Sequence, residues 1–302
     1  MRIAPVQARG RSVTDVRIGM IGAGWIAETH LATIAGHPGA RVVATADVIP
    51  GRADYVDWRV MLARESLDAI VICTPPDAHR VPALAAADAG LPFYLEKPVA
   101  HSLQDGEAIR DGSVGVISAV GYQYRALDFL ADLPPEPQLL LGTGVSQTKP
   151  RVWFGDASRG GSIFLERASH LIDLERALGG EVRSVAATAV DGSVALSLRF
   201  EGGALGTVVV ANASGPGWRL ELAGSGPSVS IELDPQFRAG ELRHLGAPPL
   251  ERSLAGFIEA VRYDDPDRVF CSLADGVATL AVALAGEDSA ASGRTVDLPR
   301  KA

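Results

Sequence analysis

The junction between a short apolar run and a glycine-rich segment places the strongest constraint on the fold of this chain. The run Val16–Ile21 leads into Gly22-Ala23-Gly24-Trp25-Ile26-Ala27. The spacing Gly-x-Gly-x-x-Ala predicts a tight turn between a buried strand and a helix, where the backbone can approach a pyrophosphate closely. The N-terminus of that helix would offer N–H groups and a positive dipole end to the phosphates. A plain strand–helix turn is the alternative that the spacing alone leaves open.

The elements around this junction predict a parallel sheet. A helix over 25–35 is followed by further apolar runs, which are interpreted as strands at Arg41–Ala46, Ala69–Cys73, Pro92–Leu95 and Val114–Tyr122. Strands that alternate with helices imply right-handed crossovers and an α/β fold. We therefore predict a loose N-terminal segment over residues 1–14 and a Rossmann NAD(P)-binding domain over residues 15–121.

The sequence pattern changes after about residue 122. Four β-rich runs follow one another without helices between them, at Val194–Phe200, Ala204–Ala213, Trp218–Ala223 and Val229–Leu233. This pattern predicts an antiparallel meander in a second, α+β domain over residues 122–302. Helices are expected near residues 162–178, 252–262 and 272–285.

Composition excludes several classes of protein. The net charge of −8 over 302 residues disfavours a nucleic-acid partner, whose phosphates need a basic surface. No apolar run approaches the roughly 20 residues that span a bilayer, so no membrane partner is expected. Cys73 and Cys271 match no metal-ligand spacing, and no metal site is predicted. Free thiols and the lack of a secretory signal predict a cytoplasmic protein.

The choice between two nicotinamide cofactors depends on Asp47 and Arg52. Asp47 closes the second predicted strand, where an acid can accept the ribose hydroxyls of NAD and would repel a 2′-phosphate. Arg52 lies close by and can instead pair with the 2′-phosphate of NADP. We expect NAD, with NADP as the alternative; a simple turn role for Asp47 is also open.

Lys97 follows the fourth predicted strand in the sequence Glu96-Lys97-Pro98. The end of a parallel strand lies at the carboxyl edge of the sheet, where the reactive ring of a dinucleotide would lie. Lys97 is therefore a candidate for proton transfer, and a solvated surface lysine is the alternative interpretation.

Several motifs, taken together in this order, resemble one protein family. They are Gly22-x-Gly24-x-x-Ala27, Thr74-Pro75-Pro76-x-x-His79, Glu96-Lys97-Pro98, Gly121-Tyr122-Gln123-Tyr124-Arg125, Gly160-Gly161-Ser162-x-x-x-Glu166-x-x-x-His170-x-x-Asp173 and Ser289-x-x-x-Gly293-Arg294-x-Val296. The chain resembles the glucose–fructose oxidoreductase, inositol dehydrogenase and rhizopine-catabolism (Gfo/Idh/MocA) family over nearly its whole length, as a shortened member.

The resemblance implies a Rossmann domain followed by an α+β domain with an open-faced, mostly antiparallel sheet that binds substrate and another subunit. It implies hydride transfer between a nicotinamide and a hydroxyl-bearing carbon of a sugar, sugar derivative or cyclitol. In such members the residues matching Lys97 and His170 handle the proton. The Thr74-Pro75-Pro76 loop and Glu96 would lie along the nicotinamide and its ribose, and His79 begins the next helix.

Two features depart from the family pattern. Glu166 stands where the family usually has aspartate, and it can orient His170, bind another hydroxyl of the substrate, or mark lost activity. The spacing of Glu166, His170 and Asp173 by itself favours a solvent-facing polar stripe of a helix, whereas the match to the family's catalytic helix favours a site. Only about seven residues separate Asp47 from Tyr55, where the family has a whole helix, so we expect a shallower adenine pocket and weak cofactor retention.

Candidates for substrate contact come from the segments that the resemblance places near the site. They are Tyr122, Gln123, Arg125, Arg151, Trp153 and Asp173. Aromatic and amide groups suit a polyhydroxylated ring, although packing roles are equally open for these side chains. His30, His37, His101 and His244 have no partner pattern and are interpreted as structural or surface residues.

The leading hypothesis is an NAD(P)-dependent dehydrogenase or reductase acting on CH–OH groups. There are two alternatives. One is a non-catalytic NAD(P)-binding sensor, and the other is a redox-neutral lyase or glycosidase with tightly bound NAD. A homodimer or homotetramer through the second sheet is also expected, because one broad apolar face would need a cover. The residues assigned to that face are Val194, Leu196, Leu198, Leu205, Val209 and Ala211.

Overall fold

The computed structural model describes residues 15–133, 136–145, 156–215, 217–226, 228–233 and 248–299. Its internal contacts divide the chain into two compact units. The first unit runs from the start of the described chain to Ala126 and also contains Pro249–Val277. The second unit contains Leu127–Pro248 and the chain from Ala278 onward.

The regular elements are numbered in chain order. The strands are β1 Val16–Ile21, β2 Ala40–Ala46, β3 Ala69–Ile72, β4 Phe93–Leu95, β5 Ser118–Val120, β6 Leu139–Val145, β7 Val182–Val190, β8 Ser193–Phe200, β9 Leu205–Ala211, β10 Gly217–Ala223, β11 Val229–Glu232 and β12 Val296–Asp297. The helices are α1 Trp25–Ala35, α2 Trp58–Arg64, α3 Arg80–Asp88, α4 Leu103–Gly112, α5 Ser169–Gly179, α6 Pro249–Tyr263 and α7 Leu273–Ser292. A π-helical turn, Phe164–Ala168, leads directly into α5.

The first unit is built on a five-stranded parallel sheet in the order β2-β1-β3-β4-β5. The predicted parallel sheet and Rossmann fold are therefore confirmed. The chain passes from β1 to β2 on one side and to β3 on the other, which makes the carboxyl ends of β1 and β3 a topological switch point. In open α/β sheets, ligands bind at such a point.

Helix α6 belongs to this first unit, although the sequence assigned residues 122–302 to a second domain. Its buried residues Leu254, Phe257, Ile258 and Val261 recur at helical spacing and pack in the same core as β1. A helix with one apolar stripe buries that stripe against whichever layer is uncovered. Here that layer is the parallel sheet, which the local sequence pattern does not reveal.

No helix lies between Asp47 and Tyr55, all of whose residues are described, as the short spacing between them predicts. The loop returns directly to the sheet, because Tyr55 forms a parallel bridge with Ala46 and its N–H donates to the carbonyl of Thr45. The short helix α2 follows this bridge. Neither α2 nor α4 was predicted from the sequence.

The second unit contains a seven-stranded sheet in the order β11-β10-β6-β9-β8-β7-β12. All neighbours are antiparallel except β6 and β9, which run parallel, so the predicted mostly antiparallel sheet is confirmed. The prediction of a simple meander is wrong beyond β9. Strand β6, which precedes the meander in the chain and was not predicted, lies between β9 and β10.

The apolar residues assigned to one sheet face lie on both faces. Val194 and Leu198 of β8 are buried, whereas Leu205 and Val209 of β9 are 50% and 37% exposed. The register pairs Leu196 with a buried residue of β9, and side chains alternate between faces with a period of two. Three of the six assigned residues therefore belong to the core face, and this expectation was wrong.

None of the described helices combines the length and the apolar character needed to cross a membrane. The thiols of Cys73 and Cys271 are buried, and neither takes part in a disulfide.

Candidate active site

The glycine turn lies against the end of β3. Gly22 has φ +90°, and a β-carbon there would lie 2.7 Å from the carbonyl carbon of Cys73, so only glycine fits. A β-carbon on Gly24 would meet nothing within 4 Å, which leaves open space above the turn. Helix α1 starts at Trp25, and its N-cap residue, Gly24, has no side chain that could cap it. The N–H groups and the dipole of a helix N-terminus attract an anion.

Asp47 connects this turn to the end of β2. Its Oδ2 accepts the N–H of Ala23 at 2.9 Å, and its Oδ1 accepts the N–H of Ile49 at 2.9 Å. The guanidinium of Arg52 comes within 3.9 Å of Oδ2. Asp47 therefore lies at the carboxyl end of β2 beside the glycine turn, with Arg52 next to it, and it holds the start of the loop that leads to Tyr55.

The Thr74-Pro75-Pro76 segment follows β3 at the same edge. The hydroxyl of Thr74 is buried and has no hydrogen-bond partner among the described residues. A buried polar atom without a partner is costly, and a bound ligand is one way to satisfy it. This hydroxyl, the open space at Gly24 and the helix N-terminus that follows it together fit a dinucleotide cofactor.

His79 connects two loops from beneath the site. Its Nε2 lies 2.8 Å from the carbonyl oxygen of Thr74, and its Nδ1 lies 3.0 Å from that of Pro98 and 3.1 Å from that of Val99. Burial lowers the pKa of His79, although the surrounding carbonyl oxygens and the Glu96 charge oppose the shift. The ring is fully buried, and from the interior it joins the loop that contains Thr74 to the segment that follows Lys97.

Glu96 and Lys97 follow β4 directly. Glu96 is 7% exposed, and its Oε1 lies 2.6 Å from Nε2 of His30 on α1. Its Oε2 accepts the N–H of Lys97 at 3.2 Å. Burial acts to raise the pKa of Glu96, but the hydrogen bond from His30, with the charge and N–H of Lys97, outweighs it and lowers that pKa. Glu96 is therefore an ionised carboxylate within the protein interior.

The His30–Glu96 contact was missed at the level of sequence, where His30 was interpreted as having no partner. The two residues are 66 positions apart, and their contact depends on how α1 packs against the parallel sheet. Their positions in the chain were the only sequence indication of this contact. His30 lies in the helix after the glycine motif, and Glu96 lies at the end of a strand of the same predicted sheet.

In the second unit, Glu166 lies in the π-helical turn and His170 in the first turn of α5. Glu166 and Asp173 are 6% and 1% exposed, so the alternative of a solvent-facing stripe is wrong for both. The edge of the His170 ring faces Trp218, with centroids 5.9 Å apart. Single π-helical turns occur often at functional sites because they change the phase of the side chains that follow.

Asp173 belongs to a buried polar network within the second unit. Its Oδ1 accepts the hydroxyl of Thr279 at 2.8 Å, and the same hydroxyl oxygen accepts a hydrogen bond from Arg176 at 2.9 Å. Arg176 also forms an ion pair with Glu181 at 2.7 Å. This network occupies at least one carboxylate oxygen of Asp173, and its role in substrate binding remains a prediction.

The other substrate candidates are distributed unevenly. Tyr122 is buried, Gln123 is half-buried in a short 3₁₀ turn, and Arg125 forms an ion pair with Asp275 at 3.3 Å. Arg151 and Trp153 lie outside the described residues. Within the described ranges, no group of three His, Cys, Asp or Glu side chains is arranged to hold a metal.

Two family models match this chain one after the other. Residues 16–112 match the oxidoreductase family with an NAD-binding Rossmann fold, and residues 107–230 match the GFO/IDH/MocA C-terminal domain. The chain therefore belongs to the Gfo/Idh/MocA oxidoreductase family, and its first unit is an NAD-binding domain. The resemblance inferred from the motifs is confirmed.

Inositol dehydrogenases are among the similar proteins. The inositol 2-dehydrogenase of Rhizobium meliloti (strain 1021) is 33% identical over 199 residues, which cover 58% of this chain and 58% of that protein. The scyllo-inositol 2-dehydrogenase (NAD(+)) of Bacillus subtilis (strain 168) is 27% identical over 76% of this chain and 75% of its own length.

Solved structures show the same fold. A myo-inositol dehydrogenase from Corynebacterium glutamicum superimposes with a TM-score of 0.80 at 22% identity, covering 95% of this chain and 100% of its own. A levoglucosan dehydrogenase in complex with NADH gives a TM-score of 0.81 at 22% identity with the same coverage.

Proposed function

We propose that this chain is an NAD(P)-dependent dehydrogenase that transfers a hydride between nicotinamide and a hydroxyl-bearing carbon of a cyclitol, sugar or sugar derivative. The observation that carries the proposal is the position of Lys97. It follows β4 at the carboxyl edge of the sheet, beside the end of β3 and the glycine turn. Ligands of open α/β sheets bind outside the carboxyl ends of the strands, so a dinucleotide held at that turn would lie along this edge.

Oxidation of a secondary alcohol removes a hydride from carbon and a proton from oxygen. A nicotinamide held at this edge would supply the hydride acceptor, and the protein would have to accept the proton. Lys97 takes the hydroxyl proton on its amine, and His170 takes part in the same proton transfer. A general base is effective when it lies within hydrogen-bond reach of the proton that it removes. In the reverse reaction, the same groups return the proton to the carbonyl oxygen.

The expected cofactor is NAD, with NADP as the alternative. Asp47 favours NAD because its carboxylate at the end of β2 repels a 2′-phosphate, and its two backbone hydrogen bonds hold it in place. Arg52 is the residue that supports NADP. With no helix between Asp47 and Tyr55, the adenine side is shallow, and we expect cofactor dissociation constants weaker than low micromolar. Equilibrium titration with each cofactor measures this, and tighter binding contradicts it.

The proposed substrate is a polyhydroxylated ring. Named relatives act on inositols, and a structural neighbour is a levoglucosan dehydrogenase. Glu166 reaches one methylene further than the usual aspartate, so it is proposed to orient His170 or to bind a different hydroxyl. The sensor and the redox-neutral enzyme are not favoured, since no observation on Lys97 or His170 supports either.

We also propose a homo-oligomer that forms through the exposed face of the second sheet. Leu205 and Val209 of β9 lie on this face, next to Leu139 and Thr143 of β6 in the sheet register. An apolar sheet face exposed to water is a common site of self-association. A homodimer or homotetramer that pairs two such faces would bury it.

The experiment that tests the activity measures nicotinamide absorbance with NAD or NADP against a panel of cyclitols, aldoses, nucleotide sugars and their keto forms. We expect reduction of the cofactor with one compound class and none in Lys97→Ala. Arg110→Ala, which removes an exposed charge on α4, serves as a matched control and should retain turnover. Cofactor binding without any change in absorbance over the whole panel would contradict the proposal.

A further inference from the structure

The buried contact between His30 and Glu96 is not used by the proton transfer proposed above. The two side chains meet at 2.6 Å, and the His30 side chain is fully buried. Neighbouring groups within the same unit surround Glu96 from several elements. They are His30 of α1, Cys73 after β3, His79 before α3, Tyr94 of β4 and Lys97.

Most of these neighbours are uncharged. Burial, together with the nearby Glu96 charge, raises the pKa values of the Cys73 thiol and the Tyr94 hydroxyl well above their usual range. Burial lowers the pKa of His79, which favours its neutral ring. Glu96 therefore carries a negative charge in the interior, and its buried neighbours Cys73, His79 and Tyr94 carry no positive charge that would neutralise it.

The hydrogen bonds of His30 indicate which form of its ring is present. Its Nε2 contacts the carboxylate, and its Nδ1 is buried without a partner among the described residues. A doubly protonated ring would leave a buried N–H unsatisfied, whereas the neutral ring with its proton on Nε2 leaves only a bare nitrogen. The pair of His30 and Glu96 therefore carries one negative charge.

A negative charge at this position affects any positive charge at the same sheet edge. The oxidised nicotinamide ring is a cation and the reduced ring is neutral. When an alcohol is oxidised, a hydride, which is one proton with two electrons, would pass from carbon to the ring, and one proton would pass from the alcohol oxygen to the neutral amine of Lys97. One positive charge is present before and after the step, first on the ring and then on the lysine.

We propose that Glu96, held in place by His30, stabilises the positive charge that passes between nicotinamide and Lys97, and that it selects the oxidised over the reduced cofactor on binding. His30 is a positioning residue in this proposal, because it acts only through Glu96. The inference rests on the proposed function, which places the nicotinamide beside Lys97. The N–H of Lys97 already donates to the same carboxylate, which connects the two groups directly.

The test compares dissociation constants for NAD⁺ and NADH by titration calorimetry in the purified protein. In Glu96→Gln we expect the ratio of the constant for NAD⁺ to that for NADH to rise about tenfold, which corresponds to about 1.4 kcal/mol. His30→Phe should raise this ratio in the same direction, and His30→Gln, which restores an N–H donor, should return it toward the wild-type value. Tyr94→Phe, which removes a neighbouring hydroxyl from the same cluster, should leave the ratio unchanged.

An equal weakening of both cofactor forms in Glu96→Gln and His30→Phe would overturn the proposal, because it would show only a loss of structure. An unchanged ratio in both variants would overturn it as well. If Glu96→Gln does not fold, the comparison of His30→Phe with His30→Gln decides the question. The proposed function is tested separately: loss of turnover in Lys97→Ala with an unchanged ratio in the Glu96 and His30 variants would contradict this inference alone.

Discussion

Replacement of Glu175 by glutamine is expected to stabilise the protein at neutral pH. Glu175 lies on α5 and is fully buried, beside the backbone of Gly142 and Gly206 on two neighbouring strands. Its Oε1 accepts the N–H of Gly142 at 3.0 Å, and its Oε2 has no partner among the described residues. Burial raises the pKa of this carboxyl well above its usual range, and the single N–H opposes that shift only in part.

The sign of the effect follows from proton linkage. A carboxyl whose pKa is higher in the folded than in the unfolded protein contributes stability that is fully present below the unfolded pKa. That stability is lost as the pH rises through the folded pKa. Each pH unit between the two values costs about 1.4 kcal/mol of unfolding free energy. Glutamine carries no charge at any pH, so Glu175→Gln removes this loss.

The assay is urea denaturation of wild type and Glu175→Gln between about pH 5 and about pH 8, with amide hydrogen exchange in α5 as a local readout. We expect the advantage of the variant to grow by up to about 1.4 kcal/mol per pH unit until it reaches a plateau. Glu201→Gln removes the same charge from an exposed turn and should give a curve parallel to that of the wild type. Parallel curves for Glu175→Gln would refute the argument that this carboxyl is buried in a neutral form.

Three further predictions concern the site and the assembly. Lys97→Ala should abolish turnover while Glu166→Ala only reduces it; equal, complete loss in both would make Glu166 a full partner in proton transfer. Gly22→Ala should lower NAD affinity and stability, the latter by about 1–3 kcal/mol, because its φ and its contact with β3 exclude a β-carbon; calorimetric titration and thermal unfolding test this, and wild-type values would contradict it. If the proposed oligomer forms through this face, Leu205→Glu combined with Val209→Glu should reduce the mass measured by light scattering to that of a monomer; a wild-type monomer, or an unchanged oligomeric mass in the variant, would contradict the proposed interface.

Much of the first unit could be predicted from the sequence. The run Val16–Ile21 and the glycine motif after it define a strand, a turn and a helix through local backbone constraints, and the observed bounds agree. Lys97 could be placed at the carboxyl edge because strand ends in a parallel sheet share one edge. Helices α2 and α4 were missed. Helix α2 has only two turns, too few to show a helical period, and α4 has few apolar residues.

The second unit and the interior of the site could be predicted less completely. The apolar alternation of β8 and β9 predicted strands, but it could not decide which face the core would cover, because that depends on register. Strand β6 was missed, since its sequence Leu-Leu-Leu-Gly-Thr-Gly-Val has two glycines and little alternation. The π-helical turn at Phe164–Ala168 also has no sequence pattern that distinguishes it from an ordinary helix.

The sequence alone determined the local features of this protein: the glycine turn, the strand that presents Lys97, and the family to which the chain belongs. These depend on backbone sterics and on residues close together in the chain. The tertiary structure alone decided that α6 covers the parallel sheet, that β6 separates β9 from β10, and that His30 meets Glu96 in the interior. Such contacts join residues far apart in the chain, and their partners are chosen by the packing of whole elements, which no local pattern encodes.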